Sequence, residues 1–328
     1  MAKVCFFSFR KHEKSYYSEI FKSGNYSVEL YDFALTAETA LLVHGATVVS
    51  AFVNDQLNAH TLDILYKQGV RMITLRCAGT NQVDGDAAKK LGISIYRVPK
   101  YSPNAVAEHT LALAMSLIRK IPRAFNRVRE MNFDLSGLEG FTIAGKTVGI
   151  VGWGDIGSLI GKYFHAMGAR VLAFDVRPRL SSQDVEFCDM KKLLSESNII
   201  SLNCPLTKES RHLVNEETLK QMKPGVVILN SGRGALIDTK ALIRHLKSGH
   251  VGGVALDVYE QEDELFFDDH SSELVKDEMI LRLLSFPNVL ITGHQGFLTK
   301  EALATIAHET NENILGYLQN KVSPNRWV

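Results

Sequence analysis

A chain of 328 residues is too long for one ordinary core and fits two compact domains. Apolar residues make up 45% and charged residues 22%, the balance of a folded globular chain, which excludes disorder. With 37 basic and 36 acidic residues the formal charge is +1 and no long block of like charge occurs, so neither nucleic acid nor a membrane is an expected partner.

Residues 1–7 carry one lysine and then an apolar run that breaks at Ser8 and is followed by Arg10, Lys11 and His12. That run is too short for a signal sequence and reads as a first buried strand. Further strands are expected at 28–31, 47–52, 72–75 and 93–98, with intervals long enough for crossover helices, hence a small doubly wound parallel sheet. Ser102-Pro103 then opens a helix over 104–118 that is apolar on most faces and expected to be buried. It holds Glu108 and His109 and is too short to span a bilayer. A second α/β series follows, with six strands at 147–151, 171–174, 199–202, 226–229, 254–256 and 289–292, the pattern of an open dinucleotide-binding sheet. A last helix near 300–318 has no further strand to serve, and its simplest destination is the first domain. Cys5, Cys77, Cys188 and Cys204 are scattered without a C-x-x-C pair, which points to free thiols and a cytoplasmic location.

Residues 148–157, VGIVGWGDIG, run from a strand into G-x-G-x-x-G and on into a helix with apolar Ile156, Ile160, Phe164 and Met167. Gly152 permits the tight turn, Gly154 lets the backbone approach a pyrophosphate, and Gly157 lets helix and strand pack closely. Free N–H groups of this loop, with Asp155 and Ile156 opening the helix, are then expected to hold the phosphates. The next strand leads to Asp175, which would accept hydrogen bonds from the adenosine ribose and repel a 2′-phosphate, favouring NAD, although Arg177 and Arg179 lie close enough to soften that preference.

Ligands of open α/β sheets bind beyond the carboxyl ends of the strands. Those ends offer Asn203-Cys204-Pro205, whose backbone could lie against the adenosine, then Asn230-Ser231-Gly232-Arg233-Gly234, Asp257 through Glu262, and Gly293-His294-Gln295. An arginine, a glutamate and a histidine thus fall on three ends of one edge. Reduction of a 2-oxo acid calls for such a trio. A guanidinium grips the carboxylate and polarises the carbonyl. An imidazole supplies the proton, and a carboxylate fixes the imidazole's tautomer. Against this stand plainer readings: Arg233 as a helix cap, His294 as a core histidine, and Glu260 as an equal candidate to Glu262 within an acidic run that continues through Asp263 and Glu264. His245 and His250, at a lysine-containing helix end, read as surface residues, and no histidine pair has metal-ligand spacing backed by acids, so no metal is expected.

The stretches LRCAG (75–79), AVAEH (105–109), GKT (145–147), SGRGALID (231–238), DVYEQE (257–262) and TGHQ (292–295) resemble the D-isomer-specific 2-hydroxyacid dehydrogenase family along essentially the whole chain. The resemblance implies an α/β protein of two doubly wound parallel-sheet domains. One is a Rossmann NAD-binding domain over 102–297. The other is a smaller, flavodoxin-like substrate domain formed by 1–101 and 298–328, and closure of the two would exclude water. It implies that Arg233 anchors the substrate, that His294 is the acid/base and that Glu262 rather than Glu260 is its partner. Backbone amides of Ala78 and Gly79 would hold the substrate carboxylate with Tyr101 nearby, and Ser210, Ser231, Gly232 and Asp257 would lie along the cofactor. Many members carry proline where Asp263 and Gly293 stand here; both variants look like the lactate branch. The implied reaction is NADH-dependent, reversible reduction of pyruvate to D-lactate by a homodimer or homotetramer. A dehydrogenase of larger D-2-hydroxy acids and an NAD-responsive binding protein without turnover are the alternatives. Phe297 reads equally as a wall for a small methyl group or as core packing.

Overall fold

The structure is a computed structural model that describes every residue except Pro178, Arg179, Ser181, Asp263, Glu264 and Val322. Arg179 beside Asp175, and the acidic pair Asp263 and Glu264, therefore lie outside the described residues. The chain divides into two compact units, Met1–Ser102 with Phe297–Val328, and Pro103–Gly296.

In the first unit the strands are β1 (Ala2–Phe6), β2 (Tyr26–Leu30), β3 (Val48–Ala51), β4 (Met72–Leu75) and β5 (Ser94–Arg97), parallel throughout, in the order β2-β1-β3-β4-β5. Between them run α1 (Lys14–Ser23), α2 (Ala59–Lys67) and α3 (Gly85–Leu91). Both sheet faces are covered, so the central strands β3 and β4 are buried at every position rather than at alternate ones. Asn58 and Asp84 start α2 and α3 by accepting the N–H groups of Thr61 and Ala87, and Gly92, at φ +71°, ends α3. On one face Ala307 and Ile314 of the C-terminal helix pack with Val4, Phe6, Met72 and Tyr96.

The carboxyl edge of this sheet is organised by a buried guanidinium. Arg76 donates from Nε to Glu13 Oε1 (2.9 Å), from Nη2 to the carbonyls of Phe7 and Ser8 (2.8 and 3.0 Å), and from Nη1 to Ser50. Charge pairing and full hydrogen bonding are what permit a charged group at zero exposure. The ends of β1, β3 and β4 are thereby tied together just before Cys77-Ala78-Gly79. Trp327 N donates to Ile95 O (2.8 Å), so the C-terminal residues cover the outer edge of β5.

The second unit begins with α4 (Pro103–Ile118) and α5 (Ile121–Arg129). Its sheet is formed by β6 (Thr147–Val151), β7 (Arg170–Phe174), β8 (Glu186–Phe187), β9 (Ile199–Leu202), β10 (Val226–Asn230), β11 (Val251–Leu256) and β12 (Val289–Ile291). The order is β12-β11-β10-β9-β6-β7-β8, parallel throughout. Among the described residues this is seven strands, not the six expected. The extra one, β8, is two residues long and too short to show a period. Helices α6 (Asp155–Ala166), α7 (Met190–Glu196), α8 (Glu216–Gln221), α9 (Thr239–Lys247) and α10 (Glu278–Leu284) connect the strands, and α11 (Lys300–Leu318) belongs to the first unit. As its composition requires, α4 is buried on several faces, packing on α6 and across β10, β11 and β12. The reading of His245 as surface is corrected: it is 8% exposed, its Nε2 lies 3.3 Å from Glu216 Oε1, and its ring packs edge-on against His250. No described helix is long and apolar enough to cross a membrane.

Candidate active site

The glycine loop leaves β6 at the middle of the second sheet. Gly152 has φ +91°, and a Cβ there would come within 2.7 Å of Cys204 N, because the Asn203-Cys204 backbone leaving β9 presses against the turn. A Cβ on Gly157 would sit 2.0 Å from Gly152 O, so α6 packs on the strand more closely than any side chain allows. Gly154, by contrast, has nothing within 4 Å of a Cβ position, leaving an open cradle at the start of α6. Gly154 gives α6 no side-chain cap, whereas α7 to α11 are capped by Asp189, Asn215, Asp238, Asp277 and Thr299. Uncapped N–H groups at a positive helix end beside an open cradle fit a pyrophosphate. Asp175, past β7, accepts from Trp153 N at Oδ2 (2.8 Å) and from Arg177 N at Oδ1 (2.9 Å). Each oxygen retains a lone pair for a ribose hydroxyl, and the first bond ties the acid to the glycine loop. These residues fit the dinucleotide.

Past the opposite half of the sheet lie the three chemical groups. Arg233, Glu262 and His294 follow β10, β11 and β12, which are consecutive neighbours. His294 Nδ1 lies 2.8 Å from Glu262 Oε1, and Glu262 Oε2 accepts from Tyr259 N (2.7 Å), so the carboxylate is held at both oxygens. Both side chains are mostly buried, which strengthens the pair. Phe267 lies against the imidazole with centroids 5.7 Å apart. Glu260, the other acid of the run, is committed elsewhere: Oε1 lies 2.6 Å from His212 Nε2 and Oε2 accepts from Thr239 N. Arg233 sits in a tight turn in which Asn230 Nδ2 donates to Arg233 O (2.9 Å) and Asn230 Oδ1 accepts from Gly232 N (3.1 Å). A Cβ on Gly234 would collide with the Tyr259 carbonyl, so the arginine turn lies directly on the strand end that leads to Glu262.

Other expected cofactor contacts are already engaged with the chain. Ser210 Oγ donates to Pro205 O (2.7 Å) and closes its own loop. Ser231 Oγ lies 2.6 Å from Thr110 Oγ1, whose own proton goes to Val106 O. Asp257 is 1% exposed and its carboxylate accepts from Thr292, Gln295, Gly296 and His109. Burial pushes the half-buried Cys204 thiol above its ordinary range, which keeps it neutral. In the first unit, the N–H groups of Ala78 and Gly79 donate to nothing among the described residues, while Ala78 O is held by Arg97 Nη1 (2.8 Å). Phe297 packs against Phe52 (5.8 Å) and Tyr101 (6.3 Å). Thr110 and Phe267 escaped the sequence reading because nothing in their spacing marks them, and Tyr259 stood in it only as part of the DVYEQE stretch, without a role. Among the described residues no cluster could hold a metal ion.

The sequence model of the D-isomer specific 2-hydroxyacid dehydrogenase NAD-binding domain matches residues 111–296. The chain belongs to the D-isomer specific 2-hydroxyacid dehydrogenase family. It is 45% identical to a D-lactate dehydrogenase of Escherichia coli, over 99% of this chain and 100% of that one. A pyruvate reductase of Chlamydomonas reinhardtii superposes with a TM-score of 0.91 at 37% identity, covering 99% of this chain and 98% of the other. A D-lactate dehydrogenase from Aquifex aeolicus, in complex with NAD and lactic acid, gives 0.88 at 32% identity, covering 98% of each chain. As a member of this family, the chain is an NAD-dependent oxidoreductase acting on a small hydroxy or oxo acid.

Proposed function

We propose that this dehydrogenase reduces pyruvate to D-lactate reversibly, with Arg233, Glu262 and His294 as its catalytic group. The observation that carries the reading is the His294–Glu262 hydrogen bond between the ends of β12 and β11, with Arg233 on the adjacent end of β10, on the same sheet edge as the dinucleotide cradle. Bound NADH supplies the hydride. Arg233 binds the carboxylate and polarises the carbonyl through its planar, delocalised guanidinium. His294, protonated, gives its Nε2 proton to the oxygen that becomes the alkoxide, and Glu262 at Nδ1 stabilises the imidazolium that must exist beforehand. In the reverse direction the same imidazole takes the proton. The loop 152–157 and Asp175 hold the dinucleotide, with Cys204, Pro205, Ser210, Ser231, Gly232 and Asp257 flanking it. In the first unit, Met1–Ser102 with Phe297–Val328, we assign substrate contacts to Ala78, Gly79 and Tyr101, and to Phe297 as the wall that favours a methyl group.

NADH consumption across pyruvate, 2-oxobutyrate, 2-oxoisocaproate and phosphohydroxypyruvate, with chiral chromatography of the product, tests the substrate. Pyruvate should be the best, yielding D-lactate; a clear preference for 2-oxoisocaproate would instead assign a larger 2-hydroxy acid. Asp175→Ala should narrow the preference for NADH over NADPH by about tenfold, the value of one charged hydrogen bond to the ribose. An unaltered ratio would remove Asp175 from cofactor selection.

A homo-oligomer, dimer or tetramer, is supported by Ile121, Phe125 and Val128, exposed along α5, and by Met131, Phe133 and Leu135 beyond it. So continuous an apolar face suits a second copy of the chain. Sedimentation of Phe125→Glu/Phe133→Glu should show dissociation to monomers, and an unchanged mass would place the interface elsewhere. None of the four cysteines is in a disulfide, which suits the reducing cytoplasm.

A further inference from the structure

The segment 292–296 is folded around one carboxylate. Asp257 Oδ1 accepts from Thr292 Oγ1 (2.5 Å), Gln295 N (2.9 Å) and His109 Nε2 (3.1 Å), and Oδ2 accepts from Gly296 N (2.8 Å). Burial alone would push this carboxyl upward; the bonds from His109, Thr292, Gly296 and Gln295 outweigh it and hold it below the ordinary carboxylate range. Three of these four donors belong to the segment itself. Among the described residues the fourth, His109, comes from elsewhere, on α4, and its Nε2 also lies 3.1 Å from Thr292 Oγ1. A Cβ on Gly296 would lie 2.9 Å from Asp257 Oδ2 and 3.4 Å from His109 Cδ2, so nothing larger fits between them. His294 stands in the middle of the segment at φ +53°, and its own N–H donates to Thr292 O (3.1 Å).

We propose that His109 is a positioning residue for proton transfer by His294: through Asp257 and Thr292 it anchors the segment 292–296 to α4 and so aims the imidazole. The proposal rests on the assignment of His294 as acid/base. The left-handed region is uncommon for any residue but glycine, histidine included, so the bonds around His294 hold it there. Removing the anchor leaves a buried carboxylate short of a donor, and the segment shifts to repair it. A displacement of about 1 Å at a reacting group is enough to cost a large part of the rate. His109 itself is given no contact with the reacting atoms.

The test compares His109→Leu, His109→Asn and His109→Gln in the full chain, with pyruvate and NADH, alongside melting temperatures and His294→Gln as a control. Leu and Asn should lower kcat by about tenfold or more while KM for NADH stays within about twofold, and Gln, whose amide N–H reaches as far as Nε2, should restore most of it. If His109→Leu does not fold, the shorter Asn against the longer Gln carries the comparison. The proposal is overturned if all three retain parental kcat, if the loss falls on KM for NADH, or if Gln is as impaired as Asn at equal melting temperature. Should His294→Gln itself keep turning over, the acid/base assignment fails first. If that control collapses while His109→Leu and His109→Asn do not, only the role of His109 falls.

Discussion

His294→Gln should lower turnover in both directions by about three orders of magnitude, within the range that a positioned general acid–base group supplies. Glutamine approximates the size of the imidazole and can donate at a similar point, but it cannot release a proton to an alkoxide or accept one from an alcohol. Removing the ring also leaves Glu262, held by Tyr259 N, without its partner at Nδ1. NADH binding should stay near parental. The phosphate cradle follows β6, four strand spacings from β12, roughly 19 Å across the sheet. Stopped-flow binding of NADH and steady-state rates with pyruvate and D-lactate, measured on the same preparation, check both halves. Turnover within tenfold of the parent would take the imidazole out of the mechanism.

Arg233→Lys is expected to reduce kcat/KM for the 2-oxo acid by about a hundredfold, equivalent to about 2.7 kcal/mol of lost transition-state binding. The turn itself should survive, because it is held by bonds from the Asn230 side chain to the main chain of Gly232 and Arg233 and by the close approach of Gly234 to Tyr259. What changes is the fork: a lysine offers a point charge at one place, while a guanidinium can meet a carboxylate and a carbonyl together. The loss should therefore appear with the acid as the varied substrate and leave KM for NADH little altered. If pyruvate kinetics were unchanged, the anchor would have to be another cation. A deficit confined to NADH would place Arg233 on the cofactor.

The glycine loop was legible because its requirement is steric and local. Only glycine satisfies φ +91° at Gly152 and the contact of Gly157 with the Gly152 carbonyl. Strand ends were legible because a parallel sheet places all its carboxyl ends on one edge, so position along the chain becomes position in space. The short β8 and the helix α5 were not, although Ile121, Phe125 and Val128 recur at helical spacing. An exposed apolar face and a buried one look alike in sequence, and what distinguishes them is the partner.

The sequence by itself determined the two parallel sheets, the dinucleotide cradle and the set of residues from which chemistry could be drawn. Apart from the family resemblance, only the tertiary structure separates like groups. Glu260 and Glu262 are the same residue two positions apart, yet one meets His212 and the other His294. Asp257 and His109 are separated by 148 residues and become partners because α4 lies across β10 to β12. A side chain's role at this edge depends on which neighbour satisfies it after burial, and that neighbour is set by packing of distant segments, which no local pattern encodes.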